Sequence, residues 1–519
     1  MEKESPYGPY LPDRPFVARA GGVQDNGTPW FGGSLRSKKE ALLARLHSLL
    51  VRGVESLEGH PLFSFFEDFS ERLVTRDHER VLQCLYKQGV LKAPEIYVDQ
   101  VFNDEPKLFY LSVAEASQAD TTDGHVPRQG YNRGVSFDFD EAASKAIGEF
   151  LERYALSTYR IADLVRASPA NLRRRKACFL DPVLLAGFSD EQKSKNMRLY
   201  FGEKSHFFWA KGEELTSGKT ALMPAQTVFW NYYVDHNFAE PILREANTNS
   251  GGGYFTKEGA ILSGLRELIQ RDAFFIYWLN KVAPPQIDLN EISHPGIQKI
   301  LDALKRYQLE ARVVHLTSDI ELPSVAAIIL DGSGGKRGVY LGAGCECSLR
   351  GAIERALTEA LSVYHWVRKQ ESEGFYTLPS PYVPFSLREL GQKERLLYWA
   401  NPETFRHFKW FLDGESIPLA DLERRFAHVR FQNDAEELAH LASLIETRGP
   451  EYKIYCYLSA NEVLREVGYR SAKVVVPALV PLYLHEHNAP LGAVRLTEVP
   501  EKLGFGSREF PFQPPHPFP

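Results

Sequence analysis

Two stretches of this chain repeat one arrangement of carboxylate and guanidinium groups. "EFLERYA", from Glu149, and "ELIQRDA", from Glu267, both read Glu-x-x-(Glu/Gln)-Arg-x-Ala. Both lie in segments of helical periodicity, where residues three and four apart share a face. Glu149, Glu152 and Arg153 therefore project together, as do Glu267, Gln270 and Arg271. A third helical segment adds Arg355 and Glu359, again four apart. Exposed Glu/Arg pairs on helices are common and worth little. Here large apolar residues flank the pairs, and the mixture recurs on three helices. Carboxylate oxygens hold Mg2+, and arginine forks hold the phosphate oxygens that the metal also bridges. The residue types point to an ATP·Mg2+ site. The chain contains no GxxxxGK[ST], so this is not a P-loop. A di-iron bundle would want histidine at the i+3 positions. Those positions are Glu152 and Gln270, each followed by arginine, which suits phosphate rather than iron.

Positioning these groups requires long helices in a mixed fold. "AASKAIGEFLERYALSTYRIADLV" is strongly helical. "KEGAILSGLRELIQRDAFFIYWLNKV" reads as a long amphipathic helix, and "SLRGAIERALTEALSVYHWVRK" as a third. Between them, "QLEARVVHLT" and "PSVAAIILDG" read as strands, and "SGKTALMPAQTVFW" carries strand and turn signals. Upstream, a helix is expected from Ser37 and a shorter one over "HERVLQCLYKQGVL". "APEIYVDQVF" and "KLFYLSVAEA" read as a strand pair. Residues 117–131 are polar and read as a linker. The fold class is α/β or α+β. "NTNSGGGYF", Asn247 to Phe255, is glycine-rich and precedes the second long helix, where backbone can approach a nucleotide.

Composition narrows the function classes. The chain has 519 residues, 44% hydrophobic and 25% charged, with a formal net charge of -6. That is ordinary for a folded protein and lacks the basic excess of a nucleic-acid binder. The one dense basic run, "NLRRRKA", reads as a solvated face. Five cysteines make no disulfide framework. Cys345 and Cys347 read as packing residues, and "HEH" at His485 as an exposed loop rather than a metal site. The apolar stretch from Val474, "VVVPALVPLYL", is too short and proline-broken to span a membrane. No signal peptide is visible, so a cytoplasmic location is expected. The chain ends "FPFQPPHPFP", with Pro515, Pro517 and Pro519 at every second position. Such a segment can neither extend a helix nor fill a central strand, but it can form a stiff, extended rod. By itself it reads either as a frayed end or as an arm that delivers the terminal carboxylate somewhere specific.

The series "AIGEFLERYA … TNSGGGYFTKEGAILSGLRELIQRDAF … GAIERALTEA … PHPFP" resembles the YcaO family, and its alternating prolines resemble the azoline-forming branch. "KGEELTSGKTALMPAQTVFW" and "SAKVVVPALVPLYLHEHNAPLG" are similar to that branch too. The resemblance covers roughly residues 80–519 and rests on the order of these pieces, not on any one. It implies a YcaO-type fold of mixed sheets and long helices enclosing ATP and Mg2+. It implies a cyclodehydratase that turns Cys, Ser or Thr of a ribosomal precursor peptide into thiazoline or oxazoline, in bacteriocin-like biosynthesis. Carried over by position, Glu149, Glu152, Glu267 and Gln270 are metal-side ligands. Lys145, Arg153, Asn249, Glu258, Arg271, Arg355 and Glu359 face the nucleotide. Arg271, Arg355 and the prolines Pro515, Pro517 and Pro519 act in catalysis. Two positions where family members hold the nucleotide read Phe255 and Gly259, with Glu258 beside the second. Gln270 offers a neutral amide, a weaker Mg2+ ligand than a carboxylate. The implied partners are the precursor peptide, a ThiF-like leader-binding protein, a flavin-dependent azoline dehydrogenase and a second copy of the chain. Three regions follow: 1–120 for partner or leader docking, 121–510 for catalysis, and the tail 511–519. A thioamide- or macroamidine-forming enzyme, or a scaffold binding leader peptide, stays open as the alternative.

Overall fold

The computed structural model describes residues 17–19, 78–99, 101–115, 132–230, 232, 240–290, 292–332, 338–373, 390–427, 431–506 and 514–518. The helix expected from Ser37, the linker 117–131 and Pro519 lie outside the described residues. Contacts divide the chain into a unit of residues 1–98 and 114–116 and a unit of residues 99–113 and 117–519. In the first, strand β1 (Val17–Arg19) pairs antiparallel with β2 (Leu91–Val98), on which helix α1 (His78–Lys87) packs through Leu82 and Leu85.

The second unit carries every residue of the carboxylate and arginine pattern. Strand β3 (Phe109–Glu115) pairs antiparallel with β4 (Gly134–Ser136), aligning Tyr110 with Val135. Helix α2 (Phe139–Ser157) follows, capped by the Asp138 carboxylate on the Glu141 amide. It stops at Ser157, short of the "RIADLV" that its periodicity would include. Thr158 and Ser157 both turn their hydroxyls back to the Tyr154 carbonyl, at 2.7 and 3.1 Å. Such local bonds compete with helix continuation. The chain then enters β5 (Val165–Ala167), which pairs with β6 (Phe207–Glu214). One sheet runs β5-β6, then β14 (Tyr455–Leu458), β15 (Arg470–Val475) and β8 (Gly251–Tyr254); β7 (Lys219–Pro224) also pairs with β6.

Between this sheet and the next lies helix α3 (Lys257–Leu279), started by the Thr256 hydroxyl on the Gly259 amide. The sequence suggests an amphipathic helix, but from Leu268 to Leu279 every residue is buried. The reason is its place: it contacts β8 and β15 of one sheet and β11 (Ser324–Asp331) and β12 (Val339–Cys345) of the other. A helix covered on both sides has no polar face to keep. The second sheet runs β12-β11-β10-β9-β13, where β9 is Gln286–Ile287, β10 is Leu309–His315 and β13 is Ser416–Ile417. Helix α4 (Pro295–Arg306) packs on β10, and helix α5 (Leu349–Ser372) on β11 and β12. The Ser348 hydroxyl caps α5. Helix α6 (Gln392–Ala400) leans on α5 and β12, and helix α7 (Asp434–Glu446) on α3.

The glycines of β8 have a packing reason. A Cβ on Gly252 would lie 2.1 Å from the Ala260 carbonyl oxygen, and one on Gly251 2.6 Å from Glu152 Oε1. The strand passes between α2 and α3 at a distance only glycine permits. The glycine-rich stretch is thus the spacer that lets the two carboxylate-bearing helices approach each other.

Candidate active site

Helices α2 and α3 bring their carboxylates together across β8. Glu267 Oε2 accepts from the Ser250 amide at 3.0 Å, and Oε1 from Arg271 Nη2 at 3.3 Å. Glu149 accepts from the Arg133 amide and pairs with Arg153 at 2.7 Å. Glu152 stands between them. Burial, then the charges of Glu267 and Glu149, push its carboxyl up to about 8. Three carboxylates so placed repel one another and favour a multivalent cation. Gln270 follows on α3, buried to 4% exposure.

Cations surround the carboxylates. Arg355 on α5 pairs with Glu346 at 2.9 Å and Glu359 at 3.5 Å. Burial opposes its charge, but Glu359, Glu346 and Glu267 outweigh that and hold its pKa above the ordinary arginine range. Its side chain still keeps 46% of its accessible surface. Glu359 also accepts from the Ala343 amide at 3.3 Å.

The sequence reading missed Lys473 and Arg244. Lys473 projects from β15 and donates to the carbonyls of Asn247, at 2.8 Å, and Asn249. Burial pulls its pKa down to about 7 against the attraction of Glu267. One lysine inside the apolar "SAKVVVP" was the available signal, since a buried strand keeps a lysine only with a partner. Arg244 precedes the 247–249 turn, and burial pulls it down to about 10. No motif marks it.

Several buried donors here have no partner among the described residues: Arg244 Nε and Nη2, Asn249 Nδ2, and Arg271 Nε and Nη1. Unsatisfied buried donors are costly. Arg271 stands beside Glu267, Asn249 adjoins the Ser250 that Glu267 binds, and Arg244 lies near the Lys473 charge; such free donors suit the oxygens of a polyphosphate. Among the described residues no three His, Cys, Asp or Glu side chains converge as a ready-made metal cage. Mg2+ does not need one, because one or two carboxylates and substrate phosphates usually hold it. The residues therefore fit nucleotide and Mg2+ together.

The remaining expected site residues make these contacts. Lys145, one turn before Glu149, pairs with Glu141 at 2.7 Å and reaches the Val135 carbonyl at 3.3 Å. Arg153 lies over the Trp230 ring, 5.5 Å from its centroid. Glu258 is in the first turn of α3, nine residues and about 13 Å of helix rise from Glu267. Asn249 spends its Oδ1 on the Leu482 amide at 3.0 Å. Pro515 and Pro517 are buried. "HEH" is not the exposed loop expected: His485 pairs with Glu245, and Glu486 is buried in a short helical turn. Cys345 and Cys347 are free thiols, the first fully inside the core.

The chain has recognisable relatives. Residues 133–480 match the family model "YcaO cyclodehydratase, ATP- and Mg2+-binding". An uncharacterised protein in the tfuA 3' region of Rhizobium leguminosarum bv. trifolii is 26% identical over 238 residues, 44% of this chain and 53% of that protein. A heterocyclase solved in complex with substrate and cofactor superposes with a TM-score of 0.63 at 18% identity, covering 84% of this chain and 57% of that one. YcaO from Methanopyrus kandleri, bound with AMPPCP and Mg2+, gives a TM-score of 0.55 at 16% identity, covering 84% and 94%. The chain thus spans about half the length of the first two. At these identities the two solved structures establish the fold. Among the described residues no helix is long and apolar enough to cross a membrane.

Proposed function

The chain belongs to the YcaO family, and from that premise we propose that it is an ATP-dependent cyclodehydratase forming azolines in a peptide. The family binds ATP and Mg2+. In the proposed reaction a Cys, Ser or Thr side chain of the substrate loses its S–H or O–H proton and attacks the preceding backbone carbonyl carbon, forming a C–S or C–O bond. The carbonyl oxygen becomes an oxyanion and takes the γ-phosphoryl group of ATP, releasing ADP. Phosphate then departs with that oxygen, the amide nitrogen gives up its proton, and a C=N bond closes the thiazoline or oxazoline. The driving logic is the leaving group: an amide oxygen leaves poorly and a phosphate leaves well. When bound, Mg2+ would neutralise phosphate charge as the phosphoryl group moves.

The chain's own residues divide the work. Glu149, Glu152 and Glu267 hold the metal side, with the Gln270 amide beside them. Arg271, Arg355, Arg244 and the Asn249 amide hold phosphate oxygens. Lys473 ties the 247–249 turn to β15 and balances Glu267. Such fixed charges lower the barrier without reorganising during the reaction. The observation that carries the reading is the Glu149–Glu152–Glu267 cluster, repulsive by itself and rimmed by unpaired guanidinium donors.

The proposed partners are a precursor peptide, a ThiF-like leader-binding protein and a flavin-dependent azoline dehydrogenase, with a homodimer as the working state. Residues 1–120 are proposed to dock them. The test is reconstitution with ATP, Mg2+ and the neighbouring-gene partner and peptide, followed by mass spectrometry. Loss of one water per modified residue, dependent on ATP, is expected. ATP hydrolysis without any change in peptide mass would overturn the azoline reading.

A further inference from the structure

The tail is packed as tightly as the core. Phe518 is 1% exposed and His516 is fully buried. Helix α6 and residues 483–486 form its receptor. Trp399 Nε1 donates to the Pro515 carbonyl at 2.9 Å. Arg395, fully buried, sends Nη1 to the Phe518 carbonyl at 3.2 Å and to His516 Nδ1 at 3.3 Å, while Nη2 reaches the Leu484 carbonyl. The His516 amide donates to Glu486 Oε1 at 3.2 Å, and the ring Nε2 donates to the Tyr483 carbonyl at 2.7 Å. Burial and the Arg395 charge keep that ring neutral.

These contacts have a consequence on α3. They seat the Phe518 ring over Arg271, 4.0 Å from guanidinium carbon to ring centroid, with Phe274 edge-on behind it at 4.4 Å. An aromatic face grips a guanidinium without using its N–H groups, which stay in the guanidinium plane. Arg271 Nη2 goes to Glu267, and Nε and Nη1 have no partner among the described residues. We propose that Phe518 is a positioning residue for the nucleotide: the tail holds Arg271 by its flat face and leaves two N–H groups for a phosphate oxygen. This rests on the reading of the site as one for ATP. It assigns the tail a role on the phosphate side.

The test titrates full-length protein with a non-hydrolysable ATP analogue and Mg2+ by calorimetry. Phe518→Leu keeps an apolar side chain but removes the π face. It should weaken binding by about tenfold to thirtyfold when titrated well below the melting temperature, which the smaller buried side chain lowers slightly. Phe518→Tyr keeps the face and should stay within about threefold of wild type. A chain ending at Gln513 should lose at least as much affinity as Phe518→Leu. Wild-type affinity in Phe518→Leu, or equal losses in the Tyr and Leu variants, would overturn the proposal while leaving the ATP reading intact. Failure of the wild-type protein to bind the analogue at all would overturn both.

Discussion

Helix α3 carries two charged clusters one residue apart, and they are built on opposite principles. On one face, Glu267 and Arg271 join Glu152 and Glu149 in a group whose charges are poorly balanced and whose donors are left over. On the other, Asp272 is completely served. Arg495 gives it two bonds, at 2.8 and 2.6 Å, and the Val480 amide a third at 2.9 Å. Arg495 also reaches Asp319 at 2.7 Å, and Arg448 closes the network. The Asp272 pair is sealed from water, whereas Glu149 and Glu267 are partly open to it. A cluster complete within the chain holds the fold; one that stays incomplete is completed by something that binds.

That contrast breaks most visibly at Arg495. Arg495→Met leaves Asp272 as an unpaired carboxylate at 0% exposure. The expected cost is about 3–5 kcal/mol. A lower urea midpoint at unchanged slope would measure it. A variant as stable as wild type would show that complete pairing at Asp272 does not hold the fold.

Glu152→Gln should do the reverse. It removes a charge that the free protein holds at a disadvantage, so the melting temperature should stay level or rise. Turnover with ATP should fall by at least about a hundredfold, because a ligand for the Mg2+ that would neutralise phosphoryl charge is gone. Steady-state kinetics beside a thermal melt decides it. Equal losses in both would place Glu152 among the structural charges.

How much of this could be read in advance follows the same division. The groups on α2, α3 and α5 were legible because helix spacing alone puts Glu149 with Glu152 and Glu267 with Arg271. The glycines of β8 were visible but suggested a nucleotide loop; only the close passage of two helices shows that they are spacers. Lys473 and Arg244 stand on a strand and in a turn, where no short spacing ties them to the carboxylates. The tail's prolines pointed to an arm. Its receptor, Arg395 and Trp399, lies more than 110 residues away in sequence, and local pattern carries no such information. The all-round burial of α3 escaped notice because polar residues are spaced along it, and burial by two sheets is a tertiary fact.

Acidity separates the clusters more gently. Glu152 sits at about 8 in the folded protein against 4.5 ordinarily. Between these values the folded state holds a proton that the unfolded chain has released. Unfolding free energy therefore falls as pH rises from about 4.5 to about 8. Lys473 acts in the opposite sense, at about 7 folded against 10.5, so its contribution recovers from pH 7 to 10.5. Urea titrations across pH should show the first decline in the wild type and a flatter profile in Glu152→Gln. Mg2+·nucleotide should flatten it too, since it favours the charged carboxylate. An identical decline in the variant would remove Glu152 as the cause.

The smallest expected effect sharpens the comparison most, because it tests completeness without burial. Arg173 also has two carboxylate partners, Asp181 and Glu203, so by partner count it matches Arg495. Its side chain keeps 42% of its surface and that of Glu203 54%. Water already solvates Arg173 and Glu203 and reaches Asp181, at 22% exposure, so losing the pairs changes their solvation little. Arg173→Ala should cost about 0–1 kcal/mol, and less in high salt. A loss approaching that of Arg495→Met would mean that pairing alone carries the stability. A loss near zero would mean that removal from water makes the Asp272 cluster decisive, and gives the unpaired donors beside Glu267 their pull on a ligand.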